Sequence, residues 1–253
     1  PKSSYNLPEA YMFDTGKKEW KQFTEWPPKA AQKTQFYLRE NGKFTTETPS
    51  SASFTEYFSD PNKPVPSSTN LKDFNGFTPR NYMSEDQRFT ENRPDVASFT
   101  TEILSDDITL AGEIKVKLKI ASTGSDADFF VKLIDIYPAD EKNIKEKPGV
   151  IYGNYHQMVR SEIMPARFRN SFEKPEALVP NQETEVVFNL QDVLHTFKKG
   201  HKIQIQVQST AYPLFAVNPQ KFLENPYKAE KSDYTKAFQK IFNNSVIEVE
   251  ILK

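Results

Sequence analysis

The stretch Lys202-Ile-Gln-Ile-Gln-Val-Gln208 decides the fold class of this chain, because its apolar and polar residues alternate strictly. The aliphatic side chains point to one side of an extended strand, and the glutamines point to the other. Gly200 precedes the strand in a turn where glycine can adopt positive φ. Tyr212-Pro213 follows, and proline cannot donate to a β-ladder. The pattern predicts a strand with one face against a core and an amide-lined face toward water or a neighbouring surface.

Other segments predict further strands. Residues 112–121 alternate aliphatic side chains with lysines, which is typical of a strand with one buried face and one charged, solvated face. Residues 127–137 are apolar on both faces, as expected of a central strand covered on each side. Shorter strands are expected over 10–13, 34–38, 185–190 and 246–251. One peripheral helix is predicted over 228–242, where Tyr234, Ala237, Phe238 and Ile241 recur at helical spacing.

A polar segment without sustained periodicity, residues 41–95, is predicted to be a long wrapping loop. Loops of this length are usually functional or disordered. Disordered segments are poor in aromatic residues, which favours order here. The aromatic residues of the segment include Phe54, Tyr57, Phe58, Phe74, Phe77 and Tyr82. We predict an all-β, jelly-roll β-sandwich with long wrapping loops, in which residues 1–253 form one domain: a leading segment (1–40), the wrapping loop (41–95) and the main sandwich (96–253).

Composition excludes several classes of function. The chain of 253 residues has 33 basic and 34 acidic residues, which gives no electrostatic footprint for nucleic acid or an anionic membrane. It has no cysteine, which excludes disulfides, a thiol nucleophile and cysteine-based zinc sites. A reducing, cytoplasmic location is the simplest expectation. There is no apolar run of about 20 residues and no signal peptide. The chain opens at Pro1 without an initiator methionine, so we expect a segment of a longer polypeptide.

The sequence contains no recognisable catalytic motif. It has no Gly-x-Ser-x-Gly nucleophile elbow and no glycine-rich phosphate loop. Its histidines are His156, His195 and His201, and none has a second ligand at a spacing typical of a metal site. We therefore predict no catalytic, cofactor-binding or metal-binding residue and no cofactor.

Two acidic positions admit a functional and a structural interpretation. Asp192 lies three residues before His195, which on a helical turn could place a carboxylate beside an imidazole. We favour a structural role, with Asp192 capping a short turn and His195 packing under the sandwich. Asp135 lies inside an apolar strand, where an unpaired carboxylate is costly, so a salt bridge is expected rather than catalysis. Its candidate partners are Arg160, Arg167 and Arg169.

The tryptophans Trp20 and Trp26 leave a binding function open. Aromatic faces can stack on sugar rings, although such residues are more often core or interface anchors. A carbohydrate-binding jelly-roll module is therefore one possible function. An assembly protein of capsid-like fold is a second.

Several motifs, in order, resemble the C-terminal domain of the X-Pro dipeptidyl-peptidase and cocaine esterase superfamily of serine hydrolases. They are Phe13-Asp-Thr-Gly-Lys-Lys-Glu-Trp20, Trp26-Pro-Pro28, Asp60-Pro-Asn-Lys-Pro-Val-Pro-Ser67, Asp86-Gln-Arg88, Arg93-Pro-Asp-Val96, Thr101-Glu-Ile-Leu104, the strand from Gly112, and residues 126–138. Residues 167–175, 192–201 and Asn218-Pro-Gln220 are most similar to the α-amino-acid ester hydrolases and glutaryl-cephalosporin acylases. One departure is Ser67-Ser-Thr-Asn70, where many relatives have paired glycines.

This resemblance implies a galactose-binding-like jelly roll that packs on an α/β-hydrolase domain, with the catalytic Ser, Asp and His outside this chain. The expected function is that of the non-catalytic C-terminal domain of a serine hydrolase that cleaves ester, amide or X-Pro dipeptide bonds, or transfers acyl groups. We expect the domain to form one wall of the active-site cleft and to contribute contacts between copies of the protein. The expected interface is the face of Gln204, Gln206 and Gln208 together with residues 45–95, because neutral amides and aromatic rings tolerate desolvation.

Overall fold

The computed structural model describes residues 7–71 and 81–252, and their regular structure is almost entirely β-strand. The strands are β1 (Ala10–Asp14), β2 (Glu19–Phe23), β3 (Ala31–Arg39), β4 (Lys43–Thr45), β5 (Phe54–Ser59), β6 (Val96–Thr100), β7 (Ile108–Ser122), β8 (Asp128–Ile136), β9 (His156–Pro165), β10 (Thr184–Phe197), β11 (Lys202–Gln208), β12 (Ala237–Phe242) and β13 (Val246–Leu252). Two one-turn helices are α1 (Asn81–Ser84) and α2 (Arg88–Glu91). Single 3-10 turns cover Glu40–Gly42, Ala166–Phe168, Pro226–Lys228 and Lys231–Asp233.

The strands form a two-layered antiparallel sandwich. In the first layer β10, β7, β13 and β3 lie side by side, and β12 and β5 extend it beside the end of β7. In the second layer the order is β6, β11, β8, β9. The layers connect through β4, which pairs with β3 and meets β6 at one parallel bridge between Lys43 and Thr100. The predicted all-β sandwich is confirmed.

Alternation along the strands builds the core between the layers. Every second side chain of β7, β8 and β11 points inward and is buried. Burying each large apolar side chain stabilises the fold by about 1.5–3 kcal/mol. The inward residues of these strands are Ile114, Val116, Leu118, Ile120, Phe129, Val131, Leu133, Ile203, Ile205 and Val207. All nine positions of β8 are buried, as expected of a central strand covered on both faces. Gly200 has φ 88°, as its turn requires.

The predicted helix over 228–242 is wrong. Two 3-10 turns lead instead into β12, which pairs with β5 and with the end of β7. Ala237, Gln239 and Ile241 point into the interior, while Phe238 on the opposite face is half exposed. Over so short a segment, the apolar spacing fits both the helical period and the two-residue period of a strand. Pairing with two neighbouring strands makes the segment a strand.

The segment 41–95 is not a continuous loop, because β4 and β5 lie within it. Tyr57 of β5 is buried, and its hydroxyl lies 3.1 Å from that of Ser209. The segment continues into α1 and α2, which lie over the outer face of the second layer. Phe74 and Phe77 lie outside the described residues. In the described part of the chain, no helix has the length and apolar character needed to cross a lipid bilayer.

Candidate functional site

The three glutamines of β11 point to the outer face of the second layer, and the chain itself covers them. Gln204, Gln206 and Gln208 are all buried. Gln206 Oε1 accepts a hydrogen bond from Thr90 of α2 at 2.8 Å, and Gln204 donates to Thr100 Oγ1 at 3.0 Å. The amide face meets a neighbouring surface, as predicted, but that surface is α2 of the same chain, so the prediction that these glutamines contact another domain is wrong.

Lys132 lies on the same face, opposite Gln206 on the neighbouring strand. Its ammonium donates to Gln87 Oε1 at 3.1 Å and to Thr90 Oγ1 at 3.0 Å, and its side chain is 2% exposed. Burial lowers the pKa of Lys132 to about 7. The space beside it has a volume of about 10 Å³, which is about the size of one water molecule and too small for a substrate.

A second buried network joins Asp135 of β8 to two histidines. Its Oδ2 lies 3.2 Å from His195 Nε2, and its Oδ1 lies 2.7 Å from His201 Nδ1. Burial alone would raise the pKa of Asp135, but the hydrogen bonds and charges of the two histidines outweigh it and lower that pKa. His195 packs under the sandwich as predicted. The prediction that Asp135 pairs with an arginine is wrong, because its two carboxylate oxygens are hydrogen-bonded to the two imidazoles.

Thr15 extends this network into a hydroxyl–imidazole–carboxylate relay, since its Oγ1 lies 2.8 Å from His195 Nδ1. The relay lacks the other parts of a hydrolytic site. His195 is fully buried, and a nucleophile also needs free amides to stabilise the oxyanion. The amide of Thr15 donates to Leu194 O at 3.1 Å, and the amides of Gly16 and Lys17 both donate to Asp14 Oδ1 at 3.0 Å. The relay is a structural connection between the β1–β2 hairpin and β10.

Asp14 is the main fastening of that hairpin. Its fully buried carboxylate also accepts from the amide and the hydroxyl of Thr196 on β10, at 3.0 and 2.6 Å, and from Lys21 at 2.9 Å. Burial alone would raise the pKa of Asp14, but these donors hold it well below its usual range. Gly16 is needed beside it, because a Cβ there would lie 1.9 Å from Thr196 O.

The three arginines proposed for Asp135 bind elsewhere. Arg167 pairs with the buried Asp126, with Nε at 2.8 Å and Nη2 at 2.7 Å from Oδ2. Arg160 donates twice to the carbonyl of Asp192, at 3.0 and 2.8 Å. Arg169 donates to the carbonyls of the loop that follows β9. No local signal in the sequence distinguishes these partners.

Asp192 caps no turn. It lies in β10 at a register shift between Leu190 and Val193, and its Oδ2 accepts from Trp26 Nε1 at 2.7 Å. Trp20 is not a core residue, because it is 60% exposed. Its ring lies 4.9 Å from that of Tyr11 and 5.3 Å from that of Phe13. Carbohydrate binding by this aromatic cluster stays a prediction.

His156 makes a weaker polar contact than the other two histidines. It is buried, and its Nε2 lies 3.8 Å from Glu91 Oε2. Burial lowers the pKa of His156. Across residues 7–71 and 81–252, no group of three or more His, Cys, Asp or Glu side chains has an arrangement that could hold a metal ion.

An open cleft of about 530 Å³ lies between the segment around α1 and the loop that precedes β9. Its polar lining is held by internal contacts: Arg88 Nε donates to Asp86 at 2.7 Å, and the Tyr155 hydroxyl donates to Ser84 O. Burial raises the pKa of Tyr155 to about 12, so the phenol stays neutral. The cleft therefore presents hydrogen-bonding groups, among them the neutral phenol of Tyr155. We call it the α1 cleft.

Comparison with known proteins assigns the chain to a family. Residues 5–239 match the family model of the X-Pro dipeptidyl-peptidase C-terminal non-catalytic domain. The chain belongs to this family. The assignment agrees with the occupied amides around Thr15, and it confirms both the resemblance and the non-catalytic role predicted from the sequence.

Three relatives show how much of a longer protein the chain matches. It is 30% identical over 222 residues to cocaine esterase from Rhodococcus sp., which covers 84% of this chain and 36% of the esterase. A solved aminopeptidase from a marine sediment archaeon, Thaumarchaeota archaeon, is 34% identical with a TM-score of 0.91, over 100% of this chain and 42% of that one. A solved α-amino acid ester hydrolase is 35% identical with a TM-score of 0.88, over 98% of this chain and 41% of that one. The chain thus spans less than half the length of each.

Proposed function

We propose that this chain is the non-catalytic domain of a serine hydrolase that cleaves ester or amide bonds. In this proposal it packs against an α/β-hydrolase domain and forms one wall of that domain's cleft. The observation that carries the proposal is the match to the α-amino acid ester hydrolase, which covers 98% of this chain but only 41% of the enzyme. More than half of the enzyme lies outside the match and can hold the reaction centre.

The α1 cleft and its surroundings are the surface we assign to the hydrolase domain. Three apolar side chains in and beside the cleft lining are exposed: Leu71 at 39%, Met83 at 58% and Ile151 at 65%. Apolar groups beside satisfied polar groups are the composition of a protein interface, in which the apolar part is buried on association. The Gln204–Gln208 face is already covered, so the interface predicted there moves to this neighbouring surface.

The test uses the full-length enzyme that contains both domains. Met83→Glu combined with Ile151→Glu should reduce kcat/KM by about tenfold or more, because burying an unpaired charge at an interface costs more than about 1.4 kcal/mol. The matched control is Ile103→Glu combined with Val179→Glu, at two apolar side chains that are equally exposed elsewhere. Full activity of the cleft variant, or equal loss in the control, would reject this surface.

A further inference from the structure

A second cavity, of about 420 Å³, lies between the start of β8, the end of β9 and the loop that follows β11. Its walls are mainly apolar and aromatic, and Tyr227 is 91% exposed. The apolar and aromatic wall residues include Ile163, Phe168, Phe215, Val217, Tyr227 and Tyr234.

One carboxyl group, that of Asp128, lines this apolar cavity. Asp128 is 8% exposed, and its Oδ1 accepts a hydrogen bond from Asn218 Nδ2 at 2.8 Å. Its Oδ2 has no hydrogen-bond partner within residues 7–71 and 81–252, yet it is not sealed from solvent. A buried carboxyl group with one unpaired, accessible oxygen is an acceptor that a ligand can reach.

The nearby cation, Arg167, makes no hydrogen bond to Asp128. Arg167 directs Nε and Nη2 to Asp126, donates to Leu223 O at 2.9 Å, and stacks over the ring of Phe222 at 4.7 Å. Asp126 and Arg167 therefore pair with each other, and Arg167 acts on Asp128 only through its charge, which favours the ionised carboxylate without a hydrogen bond to it. Burial raises the pKa of Asp128 to about 7, the Asn218 hydrogen bond opposes that rise, and the charge of Asp126 adds to it.

We propose that this cavity binds a small hydrophobic amine in its protonated form. The ammonium group donates to Asp128 Oδ2, and the aryl or alkyl part packs against Phe168 and Phe215. The faces of aromatic rings attract a cation. Phe168, Phe215 and the two tyrosines of the wall supply such rings. The volume lies in the range of small-molecule sites, which combine apolar walls with few polar groups. An anionic ligand would be repelled by ionised Asp128, the carboxyl group that lines the cavity.

The charge of the cavity makes binding depend on pH. Among the described residues, the titratable groups that face or adjoin Asp128 are Asp126, Arg167, Tyr227, Tyr234 and, from β5, Tyr57. An ammonium group requires the ionised form of Asp128, so below the pKa of this carboxyl group binding must first release a proton. Affinity should therefore rise as the pH increases from about 6 to about 8, by up to about tenfold per pH unit below that pKa.

The experiment is calorimetric titration of the 253-residue chain with phenethylamine, and with 2-phenylethanol as the neutral analogue of the same shape. Phenethylamine should bind, and the alcohol should bind at least about tenfold more weakly, since a hydrogen bond to an ionised group is the stronger kind. Asp128→Asn should lose the preference for the amine. Asp140→Asn, at an exposed carboxylate outside the cavity, should retain it.

A second variant keeps the test decisive if Asp128→Asn fails to fold. Val217→Arg places a tethered guanidinium in the cavity, so it should abolish amine binding by filling the cavity and pairing with Asp128. Absence of amine binding by the unaltered chain would overturn the proposal. So would equal binding of amine and alcohol by the unaltered chain, a preference for the amine that survives Asp128→Asn, or amine binding that survives Val217→Arg. These measurements use the chain alone, so their outcome is independent of the hydrolase function.

Discussion

Lys132 donates a hydrogen bond to Thr90 across 3.0 Å, and this contact fastens α2 to the outer face of the second layer. Thr90 Oγ1 also lies 2.8 Å from Gln206 Oε1, so one hydroxyl connects the helix to both central strands. Among the described residues, the ammonium donates hydrogen bonds to neutral oxygens, those of Gln87 and Thr90. A buried charge that is bonded only by neutral groups keeps part of its desolvation cost. This cost lowers the pKa of Lys132 and so makes the free energy of unfolding depend on pH.

Lys132→Met should remove a rise in stability that the unaltered chain shows in alkali. Between about pH 7, the pKa of folded Lys132, and about pH 10.4, that of unfolded lysine, the unfolded state binds the extra proton. The free energy of unfolding therefore increases with pH in this window, by at most about 1.4 kcal/mol per unit. Urea unfolding of both proteins at about pH 7 and about pH 9 measures the difference. Parallel pH profiles would show that Lys132 does not titrate in this window.

Asp135→Asn should destabilise the chain by about 3–5 kcal/mol at neutral pH, because it breaks a buried charged network around His195 and His201. The folded pKa of Asp135 is lowered, so its contribution is present above the unfolded value of about 3.9 and is lost as pH falls through the folded value. The deficit of the variant should therefore persist down to about pH 5. Asp140→Asn, at an exposed carboxylate, is the control and should change stability little. A deficit below about 1 kcal/mol would contradict the structural role.

Asp14→Ala should release the β1–β2 hairpin from β10, because Asp14 accepts from Gly16, Lys17, Lys21 and both donors of Thr196. Hydrogen exchange at the amides of residues 14–18 should accelerate far more than exchange in β8 and β11. Glu19→Ala, which removes an exposed partner of Lys21, should leave exchange unchanged. Unaltered protection of the hairpin in Asp14→Ala would contradict this assignment.

Local alternation predicted the strands that carry the core. In β7 and β11 the period of two fixes which side chains point inward, whereas β8 was predicted from apolar residues on both faces, and the structure agrees with both. The same argument fails near residue 237, because the spacing of Ala237, Phe238 and Ile241 fits either a helix or a strand. Pairing with β5 and β7 makes this segment a strand. Short apolar segments carry both periods, so neighbouring strands must supply the choice.

Polar partners could not be predicted, because they depend on distant parts of the chain. Asp135 was expected to pair with an arginine, but β10 and the turn before β11 bring histidines to it. Nothing in the alternation of β11 indicates that α2 covers Gln206. The cavity beside Asp128 likewise arises where three separated segments meet. The family motifs come from segments spread along the whole chain, and they predicted the function better than local patterns did.

The most direct test of the account is hydrolysis of p-nitrophenyl acetate by this chain alone and by a polypeptide that joins it to the proposed hydrolase domain. We predict no rate above the buffer blank for the chain alone and clear turnover for the joined protein, with Thr15→Val changing neither result. A rate for the isolated chain that Thr15→Val abolishes would contradict the account, because it would show that Thr15, His195 and Asp135 form a working catalytic relay.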